Sequence, residues 1–268
     1  MNTSEDWDVI WKWQWFRRAL WQPHFRDPQH PEGRPARTAP VWSYILKHYG
    51  AERVLDCNCG LGLRAMLLQE DGFDVVGTDS SRVAVEHARE LAEFRGVPIR
   101  FEHCAWDNLA DLFHGEFDAV INDAFAWTTT RHELRFATHN FGAVLKPGGV
   151  LIFTGADQHT SPDDRAARLE AAWNAAPRFQ IRADYEHGGI HVTLVVARDK
   201  VETGVVENYL FVVREDGSTR LETASICNSV QWTWEDFRHV CDEAGFKKLE
   251  TVTVPVGNRE HHLNVAAL

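Results

Sequence analysis

The chain has 268 residues, 44% of them hydrophobic, and a formal net charge of −11. That length supports one sizeable core plus a lid or subdomain. No Lys/Arg run is longer than a pair, so the clustered cations that hold a nucleic acid or an anionic membrane surface are missing.

The first 36 residues crowd together Trp7, Trp11, Trp13, Trp15, Phe16, Trp21 and Phe25. Trp7, Trp11 and Trp15 have i, i+4 spacing and would share one helical face. Such a helix either packs on the core or forms a lid whose rings exclude water from a pocket. Pro23, Pro28, Pro31, Gly33 and Pro35 then mark an irregular loop. Pro40 suits the first turn of a helix running to Tyr49.

Val54 to Ser81 is the stretch around which the rest is organised. The apolar pair Val54-Leu55 stops at Asp56. Gly60-Leu61-Gly62 makes a turn, and Leu63, Met66, Leu67 and Leu68 give an apolar helical face. Val75-Val76-Gly77 then stops at Asp79. This is one βαβ unit of the kind that holds a nucleoside. The glycines let backbone approach a ligand closely, and the helix N-terminus offers unpaired N–H groups. Asp79 lies about 20 residues beyond the glycines, where an acid accepts ribose hydroxyl protons. Gly60 to Ala65 also fits the dinucleotide pattern G-x-G-x-x-A. Asp56, however, would repel a pyrophosphate and suits a ligand with a sulfonium and an α-amino group.

After Asp79, Ser80-Ser81 caps a helix to about Arg95, ended by Gly96-Val97-Pro98. Ile99 to Cys104 is a third strand with Ala105-Trp106-Asp107 at its tip. Phe117 to Ile121 is a continuous apolar strand, as in a parallel sheet covered on both faces. Its tip is Asn122-Asp123-Ala124-Phe125-Ala126-Trp127. A helix from Arg131 to Leu145 and the turn Lys146-Pro147-Gly148-Gly149 lead into the strand Val150 to Thr154. Five α/β repeats in a row mean a doubly wound sheet. The pattern then changes. A helix is expected over Pro162 to Ala175, and three antiparallel strands over Ile190–Ala197, Val205–Val213 and Thr219–Cys227. Trp232 to Ala244 returns to helix, with Thr233 as its cap. Leu249–Val254 and His262–Ala267 close the chain as two strands.

These features, in this order, resemble the class I S-adenosylmethionine (SAM) methyltransferases, whose first motif is usually D-x-G-x-G-x-G. Asn58 replaces the first glycine, and asparagine tolerates positive φ. Arg37-Thr38-Ala39, Trp106 and the three-stranded insertion are most similar to the glycine N-methyltransferase group, which includes glycine–sarcosine methyltransferases. The resemblance implies a seven-stranded Rossmann-like α/β sheet with a helical N-terminal lid and an antiparallel insertion. It implies SAM as cofactor, with Arg37 on the SAM carboxylate, Asp79 and Ser80 at the ribose, and Ala105 and Trp106 flanking the adenine. Asp56, Asn58, Gly60, Gly62 and Asn122 would surround the methionine part. The family's glycine-binding arginine after the fifth strand has no counterpart in Thr154 to His159, which counts against glycine as acceptor.

The expected boundaries are 1–40 for the Trp-rich lid, 41–156 for the SAM-binding core, 157–228 for the substrate-side insertion and 229–268 for the closing helix and hairpin. The expected reaction is N-methylation of a small amine or nitrogen heterocycle. The alternatives are O-methylation of a small molecule, SAM binding without catalysis and, more distantly, NAD(P)-dependent oxidoreduction. Asp123, Asp157 and His159 are the candidate catalytic residues, since carboxylates and aromatic faces suit a nitrogenous acceptor and His159 is able to take a proton. No metal is expected: Cys57 and Cys59 lack a second pair, and Cys104, Cys227 and Cys241 are scattered. No nucleic-acid or membrane partner is expected, and a homo-oligomer is compatible with the sequence. An odd, dispersed cysteine set and the lack of a signal or spanning segment point to the cytoplasm.

Overall fold

Thr3 and Asp6 exchange hydrogen bonds in a capping box that starts helix α1 (Ser4–Phe16). The computed structural model describes residues 2–256 and 259–268. The tryptophans of α1 point three ways. Trp13 packs among Tyr185, Val192, Leu194 and Phe211, Trp15 enters the main core, and Trp7 and Trp11 face a cavity. Helix α1 is therefore anchored on two sides, and the single face expected for residues 7, 11 and 15 is shared between cavity and core. After α2 (Arg18–Trp21), helix α3 (Arg34–His48) begins six residues earlier than Pro40 suggests. Pro35 occupies the first turn, and Pro40 sits inside the helix. Thr38 Oγ1 donates to the Arg34 carbonyl at 3.1 Å.

The central layer follows as β1 (Arg53–Asp56), α4 (Leu63–Glu70), β2 (Asp74–Asp79), α5 (Arg82–Arg95), β3 (Arg100–His103), α6 (Leu109–Leu112), β4 (Phe117–Asn122), α7 (Arg131–Val144) and β5 (Leu145–Phe153). Ser81, rather than Ser80, caps α5 by accepting from the Ala84 amide at 3.0 Å. Then come α8 (Arg165–Asn174), β6 (Phe179–His187), β7 (Ile190–Val201), β8 (Gly204–Glu215), β9 (Ser218–Ser229), α9 (Trp234–Glu243), β10 (Lys248–Val256) and β11 (Arg259–Ala267).

Seven strands form one sheet in the order β10-β11-β5-β4-β1-β2-β3, with β11 antiparallel to β5. Neighbouring residues of the inner strands serve opposite faces. Val54 packs toward α3 and α4, and Leu55 toward α7 and α9. This alternation is why the strands read as unbroken apolar runs. Each fully buried Leu or Phe contributes roughly 1.5–3 kcal/mol relative to exposure, so the two faces together fix the sheet. The chain leaves β1 for β2 on one side and returns as β4 on the other, making a topological switch point between β1 and β4. Ligands in such sheets bind beyond the strand C-termini at that point.

The insertion is a separate sheet in the order β6-β7-β8-β9, four strands rather than the three expected. The missed strand β6 alternates Phe179, Ile181, Ala183 and Tyr185 with polar residues, and pairs with β7 through a register shift near Ile181. Among the described residues no helix is long and apolar enough to cross a membrane.

Candidate active site

A cavity of about 690 Å³ opens at the switch point, within the size range of small-molecule sites. Its floor is the β1–α4 turn and the tips of β2, β3 and β4. Helix α1 and the start of α3 form one wall, and β8 and β9 form another.

The turn explains its glycines. Gly60 and Gly62 have φ of 53° and 73°, a region costly for residues with a Cβ. A Cβ on Gly60 would sit 2.6 Å from the Trp11 ring, and one on Gly62 would sit 2.4 Å from Phe101. Asn58 is not left-handed: among the described residues Asp216 is the only non-glycine with positive φ. The asparagine is instead a hydrogen-bond hub. Its Nδ2 donates to Asp123 Oδ1, and its Oδ1 accepts from Arg64 Nη2 at 3.1 Å.

Arg64, which no motif singles out, holds the switch point together. Its Nε and Nη2 donate to the two oxygens of Asp56 at 3.0 and 2.5 Å, and its Nη1 lies 3.0 Å from Asp123. Asp56 is 0% exposed and does not line the cavity. The expectation that it meets a ligand's positive charge is corrected: its charge is spent on Arg64. Burial alone would lower the Arg64 pKa, but Asp123 and Asp56 outweigh it and raise it, so the guanidinium stays charged. Burial likewise opposes ionisation of Asp123, yet Arg64 and Asn58 hold that carboxyl below its usual range. Asp123 therefore lines the cavity as an ion-paired carboxylate, poorly suited to take a proton at neutral pH.

Asp79, at the tip of β2, accepts from the Gly60 amide at 2.8 Å and the Ser81 amide at 2.9 Å. Burial pushes its carboxyl up to about 6 against the pull of those two amides, and Asp56 and Asp8 add to the rise. Asp8 of α1 accepts from Ser81 Oγ at 2.5 Å and from the Val83 amide at 3.2 Å, tying α1 to the same corner. Ser80, Ala105 and Trp106 line the cavity. The Trp106 Nε1 donates to the Cys57 carbonyl at 2.6 Å, which fixes the ring. Cys57 and Cys59 are buried thiols, raised far above the ordinary value by burial and nearby carboxylates.

Besides Asp56, five expected site residues do not line the cavity: Gly62, which faces Phe101 in the core, and Arg37, Asn122, Asp157 and His159. Arg37 donates to the carbonyls of His30 at 2.6 Å and Pro31 at 3.3 Å, stapling the preceding loop. Arg34, one helical turn earlier, is the α3 arginine at the cavity. Asn122 is fully buried; it donates to Cys57 Sγ at 3.2 Å and accepts from the Ala124 amide at 2.8 Å, shaping the β4 tip. Asp157 accepts from the His159 amide and Thr160 Oγ1, both at 2.9 Å, and so closes a loop. That loop leans on β10 through the Gln158 amide and Thr251 Oγ1 at 3.0 Å, and neither Asp157 nor His159 lines the cavity. Conversely, Glu207 and Tyr209 of β8 do line it, though nothing in the sequence marked them.

Residues 54–149 match the family described as "Methyltransferase domain". The chain is 38% identical over 156 residues to a glycine/sarcosine N-methyltransferase from Parasynechococcus marenigrum, covering 58% of this chain and 54% of the relative. It is 30% identical to a glycine N-methyltransferase from Mus musculus, covering 50% of this chain and 49% of that one. It thus spans about half the length of these relatives. A sugar N-methyltransferase from a Streptoalloteichus species superposes with a TM-score of 0.64 at 17% identity, covering 95% of this chain and 92% of the other. An S-adenosylmethionine-dependent methyltransferase from Clostridium acetobutylicum gives a TM-score of 0.65 at 14% identity, covering 96% and 98%.

Proposed function

We propose that this chain, in which residues 54–149 form a methyltransferase domain of the class I, SAM-dependent kind, transfers a methyl group from SAM to a nitrogen of a small amine or nitrogen heterocycle. The observation that carries this reading is the corner where Asp79 and the Gly60 turn meet in one cavity at the switch point. The residues present fit SAM. Asp79 keeps lone pairs that would accept from ribose hydroxyls, Ala105 and Trp106 would flank an adenine, and Gly60 would admit backbone contact. Arg34 offers the methionine carboxylate a cation, and Asp123 a carboxylate for its amino group.

SAM supplies an electrophilic methyl carbon on a sulfonium. The chain's own residues orient the acceptor, keep its nitrogen lone pair free and exclude water. Orientation supplies much of the rate of such a transfer, so a strong general base is not required. Trp7 stacks on Trp127 with centroids 6.4 Å apart and on Trp11 with centroids 6.3 Å apart, giving the cavity an aromatic wall. We take residues 1–40 as the lid, 41–156 as the SAM-binding core, 157–228 as the substrate-side unit and 229–268 as the closing segment. The five free cysteines suit a cytoplasmic setting.

Incubation with methyl-labelled SAM and pools of small amines and nitrogen heterocycles tests the reading. Label is expected on nitrogen. Label on oxygen alone, or no transfer from any pool, contradicts it.

A further inference from the structure

The inward face of the four-stranded sheet is apolar at one end and charged at the other. On β8, Val213 and Phe211 are buried beside Trp13, as are Val192 and Leu194 opposite them on β7. Further along the same face the residues change to Tyr209, Glu207 and, directly across from Glu207, Arg198. Glu207 is 9% exposed. Its oxygens accept from Arg182 at 3.0 and 3.2 Å and from the Tyr209 hydroxyl at 2.6 Å, and Arg198 Nε lies 3.3 Å away. Burying these groups gives little stability that apolar side chains of like volume would not give. The polar end is where the sheet forms the cavity wall, with Glu207, Tyr209, Ile226 and Asn228 facing in.

The cofactor is held by the tips of β1 to β3 in this fold class, which leaves the sheet end of the cavity for the acceptor. Among the described residues the side-chain cations lining the cavity are Arg34 and Arg64, on α3 and α4 rather than on this sheet, and Arg64 is committed to Asp56 and Asp123. Behind Glu207, Arg198 spends its Nη groups on the carbonyls of Ala172, Trp173 and Ala176. Arg182 spends its own on Glu207 and Tyr209. Among the described residues, an acceptor carboxylate would meet Glu207 with no uncommitted side-chain cation beside it. Burial and Glu207 raise the Tyr209 phenol above its ordinary value, so it stays protonated and donates to Glu207. It keeps an oxygen lone pair for an incoming N–H.

We propose that Tyr209 and Glu207 form the acceptor subsite, which takes the N–H of a primary or secondary amine that carries no carboxylate. This rests on the methyltransferase reading above and narrows its substrate class.

Matched pairs that differ by a carboxylate test it: tyramine against tyrosine, histamine against histidine, methylamine against glycine. Binding is measured by calorimetry with S-adenosylhomocysteine present, in wild type, Tyr209→Phe and Glu207→Gln. Tyr209→Phe keeps the Glu207–arginine pairs and guards against a folding defect in the other variant. In at least one pair the amine is expected to bind about tenfold or more tighter than its amino acid, and both variants are expected to weaken it by about tenfold. SAM affinity should stay within about twofold, since neither side chain touches the β1–β3 tips. Preference for the amino acids, unchanged amine binding in both variants, or no amine binding by a protein that binds SAM overturns the subsite alone. No SAM binding by wild type overturns the methyltransferase reading and the subsite with it.

Discussion

Arg64→Met is expected to destabilise the protein by about 3–5 kcal/mol, the cost of leaving a buried partner charge unpaired. Asp56 is 0% exposed, and among the described hydrogen bonds both donors to its carboxylate come from Arg64. Methionine keeps an apolar stem of similar length and supplies no donor. Adding Asp56→Asn should recover part of the loss, because the orphaned charge is gone. Urea unfolding of the two single variants and the double variant measures all three. A loss below about 1 kcal/mol, the worth of an exposed pair, would mean that Asp56 is solvated or otherwise paired.

Asp79→Ala is expected to cost SAM affinity roughly 1.5–3 kcal/mol for each charged hydrogen bond lost, or about tenfold to over a hundredfold in Kd from one bond. Alanine also strands the Gly60 and Ser81 amides that the carboxylate satisfies. Asp79→Asn, which keeps one acceptor oxygen, is therefore the companion variant. The pH dependence derives from the raised carboxyl near 6. Hydroxyl donors need the ionised form, so SAM affinity should be flat above about pH 7 and fall by up to about tenfold per unit below about 6. The Asn variant should lack that fall. The apo protein has the opposite sign. Its folded state holds this proton more tightly than the unfolded chain, so the Asp79 contribution to stability grows as pH drops from about 6 toward about 4.

The places of the glycine turn, of Asp79 and Trp106 at strand tips and of the five α/β repeats were legible because each rests on local chemistry: glycine-rich turns, and apolar runs stopped by polar residues. The parts that were not legible depend on distant contacts. Arg64 stands in a helical first turn among leucines, and only folding brings Asp56 and Asp123 to it. Arg37 and Arg34 are a helical turn apart, and the choice between them depends on a helix that begins at Arg34 and runs through Pro40. Asp157 and His159 come after the fifth strand as expected, but their loop closes on itself and leans on β10. Glu207 and Tyr209 lie in a strand that reads as ordinary alternation. Their meaning appears only when Arg198 and Arg182 arrive from β7 and β6.

The tryptophans show the same division. Their spacing correctly marks a helix, yet Trp13 and Trp15 anchor it between the two sheets. The wall formed by Trp7 and Trp11 is thus part of the folded body. Ser81 and Asp8 join it to the helix just after Asp79.

Calorimetric titration of the intact chain with SAM and, separately, with NAD tests the central assignment most directly. The two ligands share an adenosine and differ in the group attached to its 5′ carbon. An acid-lined switch point disfavours a pyrophosphate and favours a sulfonium with an α-amino group. SAM is expected to bind at one site per chain and NAD to give no binding heat. Binding of NAD without binding of SAM would contradict the methyltransferase assignment and return the cavity to a dinucleotide.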